Sequence, residues 1–514
     1  MKHIFIIALM AATTAHAQVT LNYEAGITAG GGSGELAPHY IMAGRGGTVT
    51  QSKNALVHAA ISHTMDTTTR LSWGAGVELW GGWSSSADYA IYDTHSSKIE
   101  PVGFAHHNQS QHPSRFWLQQ AYVEGKYRGV FATIGQKQHH SVVVNDQLSS
   151  GDMTMSGNAR PMPGFRVGFV NFQNIPLTRG WVQINGEVGY YRMTDKNWIQ
   201  NHYNYYNHFI TTDYWLNYKY LHLRTKPGQR VVATVGMQAA CQFGGTRRKY
   251  EKGIVTEEIK QRSDFKAFFH ALIPGANPKS DGDHYYEGNH LGTWDVALDV
   301  NLDNGAVLRA YYQSPWETGS SIGKMNGFDG LYGIEYKAAK RGIVNGVVAE
   351  YIDLTNHSGP IHFAPGDQEG TTITTQATGG DDYYNNYAFT GYHALGMSIG
   401  SPMVRGPIYN LDGYSRFGDN LMRGFHLGIM GDITGEIGYR LLGSYRKSWG
   451  THLNPRLAPV DATCIMVEGT YAPRCVAGLN VKAQFALDRG TLTGNNVGAL
   501  VSVTYSGNFT LGKR

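Results

Sequence analysis

The sequence predicts an all-β protein: a large antiparallel transmembrane β-barrel of about 18 strands, with long outer loops and one short helix in a loop. Three observations carry this prediction. Apolar and polar residues alternate with period two over stretches of roughly ten residues. Tight turns alternate with long polar segments, as in a membrane barrel with short turns at one end and long loops at the other. An export segment at the N-terminus is followed by no window with the roughly 18 uncharged apolar residues that a transmembrane helix needs.

Residues 1–17 have the build of a signal peptide. Lys2 is a positive start, Ile4 to Met10 form an apolar run, and Ala15-His16-Ala17 is a small-x-small cleavage site, so the mature chain is expected to begin at Gln18. No Pro/Ser/Gly linker and no shift in composition divides residues 18–514, which are expected to form one outer-membrane barrel domain.

Four stretches show the strand pattern clearly. In Trp181–Arg192, Val182, Ile184, Val188 and Tyr190 oppose Gln183, Asn185 and Glu187. In Val231–Phe243, Val231, Ala233, Val235, Met237, Ala239, Cys241 and Phe243 share one face. In Glu436–Trp449, Ile437, Tyr439, Leu441 and Tyr445 oppose Arg440, Ser444, Arg446 and Ser448. At the C-terminus, Ala499, Val501, Val503, Tyr505, Phe509 and Leu511 oppose Ser502, Thr504, Ser506, Asn508 and Thr510. Asn304-Gly305, Arg128-Gly129, Lys340-Arg341-Gly342 and Pro227-Gly228 supply tight turns between strands. Long polar segments fall at 194–214, 244–292, 353–387 and 400–419, with a further strand expected at Ala388–Ile399. The polar faces carry Glu, Arg, Gln and Gly, which suit a lumen better than a sandwich core. No repeat of roughly 40–50 residues suggests a propeller. Trp181, Tyr190, Tyr191, Tyr311, Tyr312 and Trp449 near strand ends suit an interfacial aromatic girdle. Within Arg262–Leu272, Phe265, Phe268, Phe269 and Leu272 sit at helical spacing before Pro274-Gly275, so the expectation is a short helix folded over or into the barrel, with a disordered loop as the plainer alternative.

Composition agrees with this class. The 514 residues include 65 Gly and 61 aromatics (10 Trp, 32 Tyr and 19 Phe), which suits many strands, tight turns and aromatic surfaces. A net charge of +4, from 43 basic and 39 acidic residues, points to no nucleic-acid partner and no acidic tail. Three cysteines are too few for a disulfide scaffold. Cys241 lies on the apolar face of its strand, lipid-side or packed. Cys464 and Cys475 flank a candidate turn at Glu468-Gly469 and are placed to pair in an oxidising compartment.

Signs of catalysis are lacking. Adjacent histidines on a strand point to opposite faces, so His106-His107 and His139-His140 do not chelate one metal. No H-E-x-x-H, C-x-x-C or G-x-S-x-G occurs, and the glycine run Ala29–Gly34 lacks the G-K-[ST] of a phosphate loop. The expectation is no enzyme, no cofactor and no metal. Two loop stretches suit ligand binding instead. In Leu148–Phe169, Asn158, Arg160 and Arg166 lie with Pro161 and Pro163 in a rigid basic run, either a turn closing the barrel mouth or a positive patch for an anionic ligand. In Gly379–Tyr387, Asp381, Asp382, Asn385 and Asn386 suit sugar hydroxyls or a calcium ion. Tyr383, Tyr384 and Tyr387 there offer faces for stacking on sugar rings, and a polar loop feeding the next strand is the plainer alternative.

Several short motifs together resemble the capsule-assembly Wzi family of outer-membrane β-barrels, in the form found in gut-type Gram-negative anaerobes. They are Ala37-Pro38-His39-Tyr40 with Gly44-Arg45-Gly46, then Phe116 to Tyr122, Ile134-Gly135-Gln136-Lys137 and Ser156 to Pro161. Asn171 to Pro176, Ser358 to Phe363 and Gly379 to Asn386 follow in order. The resemblance implies a location in the cell outer membrane. It also implies a role in binding, anchoring or assembling exported capsular or other surface polysaccharide, alongside outer-membrane lipid and other export components. No catalytic residues come with it. Better-studied members carry an N-terminal periplasmic helical bundle, whereas Tyr23 to Ile27 here already reads as strand. The expected polysaccharide contacts are Asp381, Asp382, Tyr383, Tyr384, Asn385 and Asn386 with Asn158 and Arg160. A passive or sugar-selective porin is the alternative reading of the same barrel.

Overall fold

The computed structural model describes residues 18–92, 99–100, 103–104, 106–195, 198–203, 208–273, 288–360, 362–363, 377–386 and 388–511. The expected export segment, Pro274-Gly275, Tyr387 and the tail 512–514 lie outside the described residues.

Eighteen antiparallel strands close into a ring. In chain order they are β1 (Val19–Gly32), β2 (Asn54–His63), β3 (Leu71–Ser84), β4 (Phe116–Tyr127), β5 (Val130–Gln136) and β6 (Pro163–Phe169). Then come β7 (Val182–Arg192), β8 (Trp215–Thr225), β9 (Val231–Phe243), β10 (Asn289–Asn301), β11 (Val307–Trp316) and β12 (Gly330–Lys337). The last six are β13 (Gly346–Leu354), β14 (Met422–Asp432), β15 (Ile437–Gly450), β16 (Pro455–Tyr471), β17 (Leu479–Arg489) and β18 (Asn496–Leu511). Each pairs with its sequence neighbours, and β18 returns to β1 with Val19 opposite Leu511 and Gly32 opposite Gly498. Closure leaves no sheet edge, which a strand structure needs to cross hydrocarbon.

The alternation places side chains as the sequence predicts. Val231, Val235, Leu441, Val501 and Val503 are exposed outward, as are Ile27, Val57, Ile134, Val296, Leu427 and Val467 around the ring. An apolar exterior over a polar, buried interior reverses the arrangement of a water-soluble protein and suits lipid. Tyr312, Tyr332, Tyr351 and Phe425 stand directly opposite one another on β11–β14, with neighbouring ring centroids 4.6, 6.2 and 4.9 Å apart. They form an outward aromatic row of the kind found at bilayer interfaces. Tyr191 and Tyr311 do not join a girdle. Each follows or precedes an outward residue on its strand, so it points inward, and both are buried.

Both described chain ends lie at the short-turn end of the barrel. Tyr127 pairs with Val130 across Arg128-Gly129, and Asn301 pairs with Val307 across Asn304-Gly305, as expected. The connection at Lys340-Arg341-Gly342 is longer, spanning 338–345, because Arg341 and Asn345 turn outward to bind Asp432. The expected strand Ala388–Ile399 does not form. Only the two-residue pair His393–Ala394 and Met397–Ser398 is present there, so 355–421 is one continuous excursion between β13 and β14. Cys464 and Cys475 do not pair: Cys464 is buried on β16, and Cys475 is exposed in the turn after it. Glu468-Gly469 lies within β16 rather than in a turn, which separates the two thiols. The short helix forms as Phe265–Leu272, capped by Asp264, and packs on the outside of the wall rather than over or into the mouth.

Candidate functional site

Three loops from the long-loop end, 33–53, 137–162 and the described residues of 355–421, fold into the lumen and pack on one another. Inward glycines make room for them. A Cβ at Gly428 on β14 would lie 2.3 Å from the Leu148 carbonyl oxygen, so only glycine lets the plug backbone lie this close to the wall. There His426 Nε2 lies 2.7 Å from the same oxygen, Ser150 N donates to Glu350 on β13, and Met153 N donates to Gln313 on β11 at 3.1 Å. Asp152, wholly buried, accepts from Gln238 on β9 at 3.1 Å. Burial, then the nearby Asp295 carboxylate, pushes the Asp152 carboxyl up to about 6.

The plug reaches from wall to wall. On β17, Asp488 accepts from His39 N at 2.9 Å and Gln484 accepts from Arg45 at 2.5 Å. Gly44 N then donates to Asn158 Oδ1 at 3.2 Å, and Asn158 Nδ2 donates to the Ser398 carbonyl at 2.9 Å. The same 150–158 segment reaches β9 and β11 on the far side of the ring through Asp152 and Met153. Buried polar groups need such partners, since an unsatisfied one costs roughly 1–3 kcal/mol.

The stretch from Gly379 to Asn386 belongs to this cross-linking. Asp381 is 1% exposed and accepts from Thr318 Oγ1 at 2.7 Å and from Ser358. Asp382 accepts from Asn420 at 2.6 Å. Tyr383 Oη donates to Asp329 at 3.1 Å and accepts from Asn326 at 2.9 Å. Tyr384 Oη donates to the Met153 carbonyl, tying the 355–421 and 137–162 loops together. Asn385 makes a two-way pair with Phe417 N and O, and Asn386 accepts from Ala388 N at 2.9 Å. Tyr384 N donates to Glu317, whose carboxyl is held well above its ordinary range by burial. Asp381, Tyr383, Tyr384, Asn385 and Asn158 are therefore buried and engaged within the protein. Among the described residues no group of three His, Cys, Asp or Glu side chains is arranged to hold a metal ion.

Arg160 is placed differently. It borders a cleft of about 190 Å³ at the long-loop rim, built from 160–163, 192–195, 198–199, 211–214 and 393–395. Trp198, Asp195, Asp213, Tyr214 and His393 also line it. The Arg160 guanidinium lies over the Trp117 ring at 4.9 Å and donates weakly to Gly47 O at 3.4 Å. Burial lowers it to about 10, still a cation at neutral pH. Trp198 stacks on His202 with centroids 4.1 Å apart and meets His393 at 5.9 Å. Burial lowers both histidines to about 4, so they are neutral at pH 7. Gly396 N donates to His393 Nδ1 at 3.2 Å, which leaves the proton on Nε2, facing Tyr203 Oη at 3.2 Å. A fixed cation, two carboxylates and a tryptophan around a small cleft can hold polar, hydroxyl-rich ligands by hydrogen bonds and ring stacking.

Arg160 is thus the one expected contact that lines this cleft. Trp198, Asp195, Tyr214 and His393 were missed, although the density of aromatic and amide residues in Asn197–His208 was a usable signal. With Arg160 those residues sit in three loops far apart in sequence, and only folding gathers them.

No protein-family model matches the chain. No curated protein matches it in sequence. Solved structures match in fold. Wzi of Escherichia coli, an outer-membrane protein involved in group 1 capsule assembly and described as a carbohydrate-binding β-barrel, aligns with 99% of this chain and 88% of its own, at 12% identity and a TM-score of 0.54. OccAB2 of Acinetobacter baumannii aligns with 96% of this chain and 98% of its own, at 7% identity and a TM-score of 0.48. OccK8 (OprE) of Pseudomonas aeruginosa aligns with 96% of this chain and 98% of its own, at 9% identity and a TM-score of 0.44. At these identities the likeness is one of fold: the chain is a closed β-barrel of the outer-membrane kind.

Proposed function

We propose that this protein is an outer-membrane barrel that binds and anchors exported surface polysaccharide through the rim cleft around Arg160 and Trp198. The observation that supports it most is the pairing of a lumen filled from wall to wall with a polar, aromatic cleft left open at the long-loop end. A filled lumen suits holding a polymer more than passing solutes. The cleft is smaller than the roughly 300–1,000 Å³ of drug-sized pockets, which suits one sugar residue of a longer chain. The carbohydrate binding of Wzi, whose fold this chain shares, agrees with that reading.

The decisive experiment is binding of the detergent-solubilised protein to the producing cell's own surface polysaccharide, with Trp198→Ala and Arg160→Gln alongside. Saturable binding that falls about tenfold in each variant, equal to about 1.4 kcal/mol, supports the reading. Unchanged binding in both variants removes the cleft from it. A sugar-selective porin is the second reading. It is favoured by charged pairs on the inner wall, Lys137 with Glu124 at 2.6 Å and Arg166 with Glu187 at 3.4 Å, which would line a channel once the plug moved. Steady bilayer conductance of the native protein, without binding, would select it.

A further inference from the structure

The helix Phe265–Leu272 lies on the outer face of β7–β9, toward the long-loop end. Its small face, Ala267 and Ala271, is buried against Cys241 and Phe243, with Phe268 beside Trp215. Tyr190 Oη donates to the Phe268 carbonyl at 2.8 Å. Lys219 Nζ donates to Asn217 Oδ1 at 2.7 Å and to the Ala271 carbonyl, in the last turn of the helix, at 2.8 Å.

Lys219 faces outward. It is two residues along β8 from the exposed Leu221, and their β9 partners are Ala239 and Met237. Met237 in turn pairs with Trp294 on β10, also exposed outward. An amine at this level of a bare wall would meet hydrocarbon, at high cost. The helix instead buries it to 8% exposure, and its negative C-terminal end faces the cation. The opposite stripe of the helix is apolar and open: Phe265 is 89%, Phe269 52% and Ile273 45% exposed. The spacing of four residues places Phe265 and Phe269 on one side, and Ile273 follows as the extended C-cap residue. The helix thus covers the Lys219 amine and presents apolar side chains on the same outer face of the barrel as Leu221, Val235 and Trp294.

We infer that this helix is an external, lipid-contacting element, with Phe265, Phe269 and Ile273 inserted among acyl chains of the leaflet at the long-loop end. The inference rests on the reading that the barrel spans a bilayer. It adds a specific occupant to a loop that the strand pattern alone would leave in water.

The test uses nitroxide labels on the full-length protein reconstituted in lipid vesicles. Cys475→Ser removes the exposed thiol, and Cys241 and Cys464 are buried. Single labels then go at Phe269→Cys and Ile273→Cys, at Leu298→Cys on the outward face of β10 and at Glu257→Cys on the exposed strand Ile254–Lys260. The readout is the ratio of collisions with oxygen to collisions with a water-soluble nickel chelate. Positions 269 and 273 are expected to match 298 within about twofold and to exceed 257 about tenfold or more. Labels at 269 and 273 that match 257, with 298 still lipid-exposed, overturn the inference alone. A water-exposed label at 298 overturns the bilayer reading, and the inference with it.

Discussion

Replacing Gly428 by alanine tests whether the plug is held by close backbone approach to the wall. The strand backbone at 428 accepts alanine, so the substitution acts mainly through space. Its new Cβ would lie 2.3 Å from the Leu148 carbonyl oxygen and 3.1 Å from its carbon, both backbone atoms that cannot rotate away. Overpacking of this kind costs roughly 1–3 kcal/mol. If the plug retreats instead, the His426–Leu148 contact at 2.7 Å is lost and a buried carbonyl goes unpaired, again roughly 1–3 kcal/mol. About 1–3 kcal/mol either way corresponds to roughly a 5- to 150-fold rise in the displaced population. Amide exchange at Ser150 and Met153, both hydrogen-bonded to the wall, reads that population. Single-channel conductance should rise with it. The control is Gly443→Ala on β15, where an added Cβ meets nothing within 4 Å. Exchange in the Gly428 variant within about threefold of that control would refute the mechanism.

Two further outcomes follow from the plug and the thiols. Asp152 titrates high in the folded protein because burial, then Asp295, disfavours its charged form. The folded state therefore holds more protons than the unfolded state between the ordinary carboxylate range and about 6, and plug stability falls as pH rises through that window. Asp152→Asn should flatten this dependence, measured as amide protection of 148–158 between pH 4 and pH 7 (about one measurement per half unit). A maleimide should add once to the native protein, at Cys475, and reach Cys241 and Cys464 only after unfolding; intact mass would show a second native adduct if either were open.

The opening pattern of the sequence was legible because a strand in a membrane barrel obeys a local rule. Val231–Phe243 alternates, and its bounds as a strand match the pattern to the residue. Tyr191 and Tyr311 show the limit of residue counting near strand ends: the aromatic type suggested a girdle, but parity placed them inside. At Ala388–Ile399 apolar residues mimicked a strand because Phe389, Tyr392 and Ile399 are core residues of the plug. The stretch Gly379–Asn386 stands out in the sequence, and in the fold its polar groups bond to Thr318, Asn326, Ser358, Phe417 and Asn420.

The amino-acid sequence by itself determined which side of each strand meets lipid, because period two is a property of neighbouring residues. It also determined that long polar loops crowd one end. Only the tertiary structure decided where those loops go. Their hydrogen bonds join residues hundreds of positions apart, such as His39 with Asp488 and Tyr384 with Met153, and no local pattern encodes such a pairing. The rim cleft depends on the same long-range contacts, since Arg160, Trp198 and His393 meet only after the plug has docked.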